Sequence, residues 1–274
     1  MSGIRLPFSH SSESLLAVEA IMKAGEAVAA IYREKYSATE KPGKEPLTDA
    51  DLVSNRIILE VLSKSRIPIL SEESLDNDHR LNSQKAWIVD PLDGTIGFIK
   101  ATGEFGVMIG LVEKGVPILG MVYLPESKAL YAAKKGEGAY LWEKGRLRRL
   151  HVSRVSTLSR AHVLMSRFHA LEQELEFMKW LHPLDIQQVG SCCKAMLIAS
   201  GKADFGVAIS SKLRQWDTCA SSCIVTEAGG KMTDLSGNPL QYNVKEIRHW
   251  QGVVTSNGAL HEQIVQGYAR FLKS

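Results

Sequence analysis

The stretch Trp87-Ile88-Val89-Asp90-Pro91-Leu92-Asp93-Gly94-Thr95 sets two carboxylates three positions apart. The apolar run before Asp90 reads as a strand, so Asp90 should emerge at the strand's end, where open sheets place ligands. Pro91 should stop the strand and turn the chain, displaying Asp93 on the same turn. Gly94 lets the backbone approach a ligand closely, and Thr95 places a hydroxyl beside it. Two carboxylates this close repel one another at neutral pH, a repulsion relieved by a divalent cation between them. Oxygen-only donors suit magnesium better than zinc. Taken alone, the stretch is equally compatible with an Asp-Gly turn carrying two solvated carboxylates.

Other acidic residues bear on that choice. Glu72 follows the apolar run 67–70 and stands at a second strand end. Asp217, after Trp216, lies near the start of a small-residue helix, and Asp51 lies in the first turn of another. Each alone also reads as a surface carboxylate or a helix cap. A lysine at a helix start, Lys194 after Gly190 and Ser191, and a loop histidine, His169 near Ser166, are candidates for an anionic substrate.

The elements that must position these residues follow from periodicity. Ser12 and Glu13 open a helix with Leu15, Leu16, Val18, Ile21, Met22 and Val28 on one period. Residues 37–46 read as a loop containing Lys41-Pro42-Gly43-Lys44. Residues 49–64 read as a helix with Leu52, Val53, Ile57, Ile58, Val61 and Leu62 facing inward. Strands at 67–70 and 86–89 follow, then an antiparallel meander over 105–113, 118–124, 129–133 and 139–142. The remainder alternates: strand 162–165, helix 171–181, helix 191–200, strand 203–209 and helix 217–228, which stops at Gly229-Gly230. Strands 231–234 and 252–256 and a helix 260–271 complete the chain. The mixture is α+β or layered α/β, with halves 1–150 and 151–274 meeting near residues 147–156.

The 274-residue chain, 45% apolar and 23% charged, is long enough to fold without staples. A net charge of +3 is too small to argue for a nucleic-acid polymer, and the basic run Lys144, Arg146, Arg148, Arg149 and Arg154 reads as a solvated edge. No segment approaches the roughly 18 apolar residues of a membrane span, and residues 1–7 lack the pattern of a secretory signal. A cytoplasmic protein, monomer or homodimer, is the expectation. The four cysteines, Cys192, Cys193, Cys219 and Cys223, form neither a C-x-x-C pair nor a zinc pattern and read as packing thiols.

In order along the chain, the Glu72 block, Asp90-Pro91-Leu92-Asp93-Gly94-Thr95, Trp216-Asp217 and Gly229-Gly230 resemble the inositol monophosphatase superfamily of magnesium-dependent, lithium-sensitive phosphatases. Within it the chain is most similar to the 3'(2'),5'-bisphosphate nucleotidases. That likeness rests on Gly97-Phe98-Ile99, Gly103-Glu104-Phe105, Ser166-Arg167-Phe168-His169, Gly190-Ser191-Cys192-Cys193-Lys194 and Trp216-Asp217-Thr218-Cys219-Ala220. Inositol monophosphatases usually read Thr-Asn-Phe where this chain reads Ile96-Gly97-Phe98. It also departs from many bacterial members, which carry an arginine where it has Ala208-Ile209-Ser210; Lys212 or Arg214 could stand in.

The resemblance implies an αβαβα sandwich. It further implies two or three magnesium ions held by Glu72, Asp90, Asp93, Asp217 and the Leu92 carbonyl. Glu72 and Thr95 would orient a water, with Asp51 holding a further water or a weaker third ion. The N–H groups of Gly94 and Thr95 would meet phosphate oxygens, while Ser166, His169, Gly190, Ser191 and Lys194 would bind the rest of the substrate. The implied reaction converts 3'-phosphoadenosine 5'-phosphate to AMP and phosphate. The alternatives are an inositol-phosphate or other sugar-phosphate phosphatase and, further off, a catalytically inactive nucleotide-binding regulator.

Overall fold

The computed structural model describes residues 4–34, 38–40, 46–76, 78–210 and 212–273. The chain opens with α1 (Ser12–Arg33), whose N-cap Ser11 accepts from the Ser14 N–H at 3.3 Å. A short antiparallel pair follows, β1 (Ala38–Glu40) with β2 (Pro46–Thr48), where a loop was expected. The expected Lys41–Lys44 turn lies outside the described residues. Next come α2 (Asp49–Leu62), β3 (Ile69–Ser71), β4 (Lys85–Asp93) and the short α3 (Thr95–Ile99). The meander is β5 (Gly106–Glu113), β6 (Val116–Leu124), β7 (Ala129–Lys134), β8 (Gly138–Glu143) and β9 (Arg146–Arg149). The remainder is β10 (His162–Ser166), α4 (Glu172–Trp180), β11 (Asp185–Val189), α5 (Ser191–Ala199), β12 (Phe205–Ala208), α6 (Gln215–Glu227), β13 (Lys231–Thr233), β14 (Val253–Ser256) and α7 (His261–Phe271).

Among the described residues the longer strands form two sheets, in the orders β3-β4-β5-β6-β7-β8-β9 and β11-β10-β12-β14-β13. Helices α1 and α2 cover one face of the first sheet through Ala20, Ile21, Ala24, Ile58 and Leu62. Helices α5 and α6 fill the space between the sheets, and α4 and α7 cover the far face of the second through Phe177, Met178 and Ile264. The result is the layered αβαβα sandwich. Strand β4 lies between helices on both faces, so Ala86, Trp87, Ile88 and Val89 are all buried, and its sequence reads as a continuous apolar run. No described helix is long and apolar enough to cross a membrane.

Two expectations need correction, and two further strands were not anticipated. Strand β4 does not stop at Pro91; it runs to Asp93. Its pairing with β5 slips from Asp90↔Met108 to Asp93↔Gly106, three residues against two, so one extra residue bulges there. Proline has no N–H to lose at a bulge, and the extra residue turns Asp93 to the same side as Asp90. Leu52 does not face inward but is 50% exposed, because α2 turns Asp51, Ser54 and Asn55 into the protein instead. The basic run at 146–149 is itself an edge strand, and its exposed arginines keep that edge from pairing further. Finally, β11 was not anticipated, since it is largely exposed.

Candidate active site

The acidic residues converge where β3, β4 and α6 end or begin. Glu72 directly follows β3, Asp90 precedes the β4 bulge, and Asp217 sits in the first turn of α6. Each offers a carboxylate oxygen within 4.8 Å of the others. Asp90 is fully buried, whereas Glu72 and Asp217 are half-buried and open onto a cavity of about 230 Å³. Burial, reinforced by Glu72, Asp93, Asp217 and Asp51, holds the Asp90 carboxyl well above the usual carboxylate range. Asp217 is raised likewise, by burial first and then by Glu72 and Asp93. A polypeptide gains nothing in stability from such crowding, and a cation among the oxygens removes the repulsion.

Three of the carboxylates are held from behind. Asp90 Oδ1 accepts the Leu92 N–H at 3.0 Å, which closes the bulge. Asp217 Oδ2 accepts the Arg214 N–H at 2.6 Å, completing the cap of α6. Asp93, beside the trio on the cavity wall, accepts the Cys192 N–H at the start of α5. These bonds orient Asp90, Asp93 and Asp217 through main-chain donors. The oxygen-rich donor set fits hard divalent cations. Ser221, one helical turn beyond Asp217, also lines the cavity, and its hydroxyl is the one buried side-chain oxygen or nitrogen among the described residues with no hydrogen-bond partner.

Asp51 takes a different part. Its Oδ2 accepts the Thr48 N–H at 2.7 Å and the Thr48 hydroxyl at 2.6 Å, closing a capping box on α2. Its Oδ1 lies 3.2 Å from the Thr95 hydroxyl, which is also 3.2 Å from the Leu92 carbonyl. A proline at 91 contributes too, its carbonyl accepting the Ser54 hydroxyl at 2.6 Å. Gly94, at φ +85°, starts α3, and a Cβ there would lie 2.7 Å from the Glu104 carbonyl, so no other residue fits this junction without strain.

Of the expected substrate residues, Gly94, Thr95, Ser166, His169 and Lys194 line the cavity. Gly190 caps α5 and packs against Glu104 without lining the cavity, and Ser191 is the first residue of the helix. Burial draws the Lys194 ammonium below its ordinary value, against the pull of Asp93, Cys192, Cys193 and Glu174. Arg167, two residues before His169, is committed to Glu104 through bonds of 2.6 and 3.0 Å. The cavity also takes in Ile96, Ile198, Leu213 and the pair Glu174 and Ser210, which had not been singled out. Glu174 carries the pattern of an ordinary first-turn helix cap, so only its placement reveals more. All four cysteines are free thiols, and Cys192, Cys219 and Cys223 are buried as packing residues.

Comparison with known proteins places this geometry. Residues 11–270 match the inositol monophosphatase family. The 3'(2'),5'-bisphosphate nucleotidase CysQ of Buchnera aphidicola is 36% identical over 231 residues, covering 81% of this chain and 84% of that protein. The crystal structure of CysQ from Bacteroides thetaiotaomicron superposes with a TM-score of 0.80 at 31% identity, covering 90% of this chain and 98% of the other. That of the extragenic suppressor protein suhB from Bartonella henselae reaches the same TM-score at 26% identity, with 94% and 98% covered.

Proposed function

The chain belongs to the inositol monophosphatase family, and from that premise we propose that it is a magnesium-dependent phosphatase converting 3'-phosphoadenosine 5'-phosphate to AMP and phosphate. The observation that carries the chemistry is the convergence of Glu72, Asp90 and Asp217 beside a hydrogen-bonded Asp51 and Thr95. The choice of substrate leans on the relatives named bisphosphate nucleotidases and on Lys194 in the cavity wall.

Glu72, Asp90, Asp93, Asp217 and the Leu92 carbonyl would hold two or three magnesium ions. Bound there, magnesium supplies charge neutralisation of the phosphoryl group and a lowered pKa for a nearby water. The chain's own groups do the rest. Asp51 draws the Thr95 hydroxyl proton toward itself, which leaves a lone pair on Thr95 to accept from the attacking water. The proton released as water adds to phosphorus passes through Thr95 to Asp51. The Gly94 and Thr95 N–H groups donate to phosphate oxygens. Lys194 meets the phosphate that is not hydrolysed, while Ser166 and His169 contact the nucleoside. Positioning and charge neutralisation suffice for such a transfer, so no covalent enzyme intermediate is required.

Phosphate release from a panel of small monoesters in magnesium tests the reading. Adenosine 3',5'-bisphosphate should be the best substrate, and Lys194→Ala should raise its KM while leaving inositol 1-phosphate little changed. Equal losses on both would remove Lys194 as the specificity residue. Preference for inositol or another sugar phosphate would move the substrate within the family, and nucleotide binding without phosphate release would make the protein a regulator.

A further inference from the structure

Glu174 is a carboxylate buried to 2% exposure in the wall of the cavity that, on the reading above, takes a phosphate, a position that calls for explanation. Among the described residues no cation forms an ion pair with it; its charge is met by backbone N–H groups. Oε2 accepts from Leu171 at 3.3 Å, the local cap of α4. Oε1 reaches across to the connection between β12 and α6, accepting the N–H groups of Ile209 at 2.8 Å and Ser210 at 3.3 Å. A helix cap needs only the first contact. The second spans 35 residues and ties down a connection whose cavity-lining residues include Ser210, Lys212 and Arg214.

The tie continues one step further. The Ser210 hydroxyl accepts the Lys212 N–H at 3.2 Å, so the carboxylate fixes Ser210 and Ser210 fixes the Lys212 backbone. The two cations of this connection differ in their freedom. Arg214 stacks its guanidinium over the Trp216 ring, 5.5 Å from the centroid, and its N–H caps Asp217. The Lys212 ammonium has no hydrogen-bond or ion-pair partner among the described residues, yet the residue lines the cavity. Charge-assisted bonds from a buried carboxylate to backbone amides are among the stronger ones available, and here they hold the start of the connection.

We propose that Glu174 is a positioning residue for substrate selection: through Ser210 it holds Lys212 toward the non-reacting phosphate, so that this chain favours a bisphosphate over a monophosphate. The inference rests on the bisphosphate reading above for its substrate, while the anchoring itself is independent of it. In this arrangement Glu174 never touches the substrate, and its negative charge is spent on the amides before phosphate arrives.

The test compares Glu174→Ala, Glu174→Gln and Ser210→Ala in magnesium, using adenosine 3',5'-bisphosphate and 3'-AMP, which lacks the second phosphate. Glu174→Ala should raise KM for the bisphosphate about tenfold, the loss of roughly one charged hydrogen bond, with kcat within about twofold and KM for 3'-AMP unchanged. Glu174→Gln keeps an acceptor for Ile209 and Ser210 and should restore most of the loss. Ser210→Ala, which leaves α4 and its cap alone, should show the same selective rise if Glu174→Ala fails to fold. Combining Glu174→Ala with Lys212→Ala should cost no more than Lys212→Ala alone. Equal rises in KM for both substrates, or additive losses in the double variant, would overturn the proposal. Hydrogen exchange at the Ile209, Ser210 and Lys212 amides reads the anchoring separately: it should quicken in Glu174→Ala and not in Glu174→Gln. Quickened exchange in a protein that leaves the bisphosphate untouched would fault the substrate assignment and with it the selective role, whereas unchanged exchange would fault the anchoring.

Discussion

The Asp93 carboxylate accepts the main-chain N–H of Cys192 at 2.5 Å, a bond across 99 residues that fastens the β4 bulge to the first turn of α5. The donors at a helix start lack partners within the helix, so the Cys192 N–H is free to hold Asp93, and α5 thereby orients its carboxylate.

Asp93→Asn separates this anchoring from the charge. The amide oxygen can still accept from Cys192, so the thermal midpoint should stay within a few degrees of the parent. Turnover should fall by more than the roughly hundredfold that loss of an outer-shell partner of a metal site costs. Near-normal phosphate release from a folded Asp93→Asn protein would remove Asp93 from the proposed set.

A second prediction concerns the Asp51 and Thr95 pair, 3.2 Å apart. Thr95→Val and Asp51→Asn should each lower kcat by about 10²–10⁴-fold, the usual worth of a positioned acid or base, and together should cost little more than either alone. Thr95→Ser should retain most activity. Asp51→Ala should in addition lose about 1 kcal/mol of stability, because the same carboxylate caps α2. Strictly additive losses would mean that the two side chains act separately.

The site was more legible in the sequence than its supports. Glu72, Asp90, Asp93 and Asp217 stand out together, in their order along the chain, although each alone also reads as a turn, surface or cap carboxylate. The bulge was hidden, since Pro91 stops a regular strand and only the pairing with β5 shows the chain continuing to Asp93. Leu52 misled for a related reason: helical periodicity identifies a face, but not that Asp51, Ser54 and Asn55 occupy the buried one. Strand β9 was masked by its arginines, which are what an edge strand tolerates and a core strand does not. Glu174 looked like a local cap because its second contact lies 35 residues away, a distance no local pattern records.

Metal and pH should be coupled. With its pKa raised on folding, Asp90 binds more protons in the native state than in the unfolded chain between the ordinary carboxylate range and its native value. Metal-free stability from this group is therefore present at low pH and lost as pH rises through that window. A divalent cation takes the proton's place, so magnesium or manganese should raise the thermal midpoint more at pH 8 than at pH 5. An equal rise at both, or none, would argue that no cation sits among these carboxylates.

His249 should move stability the opposite way. Burial lowers its pKa from 6.5 to about 4, and its Nε2 lies 2.8 Å from the Thr218 hydroxyl, one residue past Asp217. The unfolded chain takes up the proton first, so stability is full above pH 6.5 and declines as pH falls toward 4, by about 1.4 kcal/mol per unit. His249→Gln should flatten that decline at fixed metal concentration. A variant with the parent's acid profile would assign the loss to other groups.

The last prediction reaches the site through packing alone. Gly110 and Gly120 face each other across β5 and β6, and together they open a notch into which α6 settles. A Cβ at Gly120 would lie 2.3 Å from the Ala220 carbonyl and 2.9 Å from Cys223 Cβ, both on α6. The first of these is backbone and has no rotamer to yield, so Gly120→Ala must lift the helix or bend the strand. At Gly110 the nearest atom is the Cys219 sulfur at 2.5 Å, which can turn aside. Overpacking of this kind costs about 1–3 kcal/mol. Asp217 rides on the first turn of the displaced helix, so Gly120→Ala should also weaken manganese binding in a titration, although it changes no carboxylate. Gly110→Ala should do both more mildly. If Gly120→Ala kept the parent's thermal midpoint and manganese affinity, α6 would have to be held in register by something other than this glycine notch.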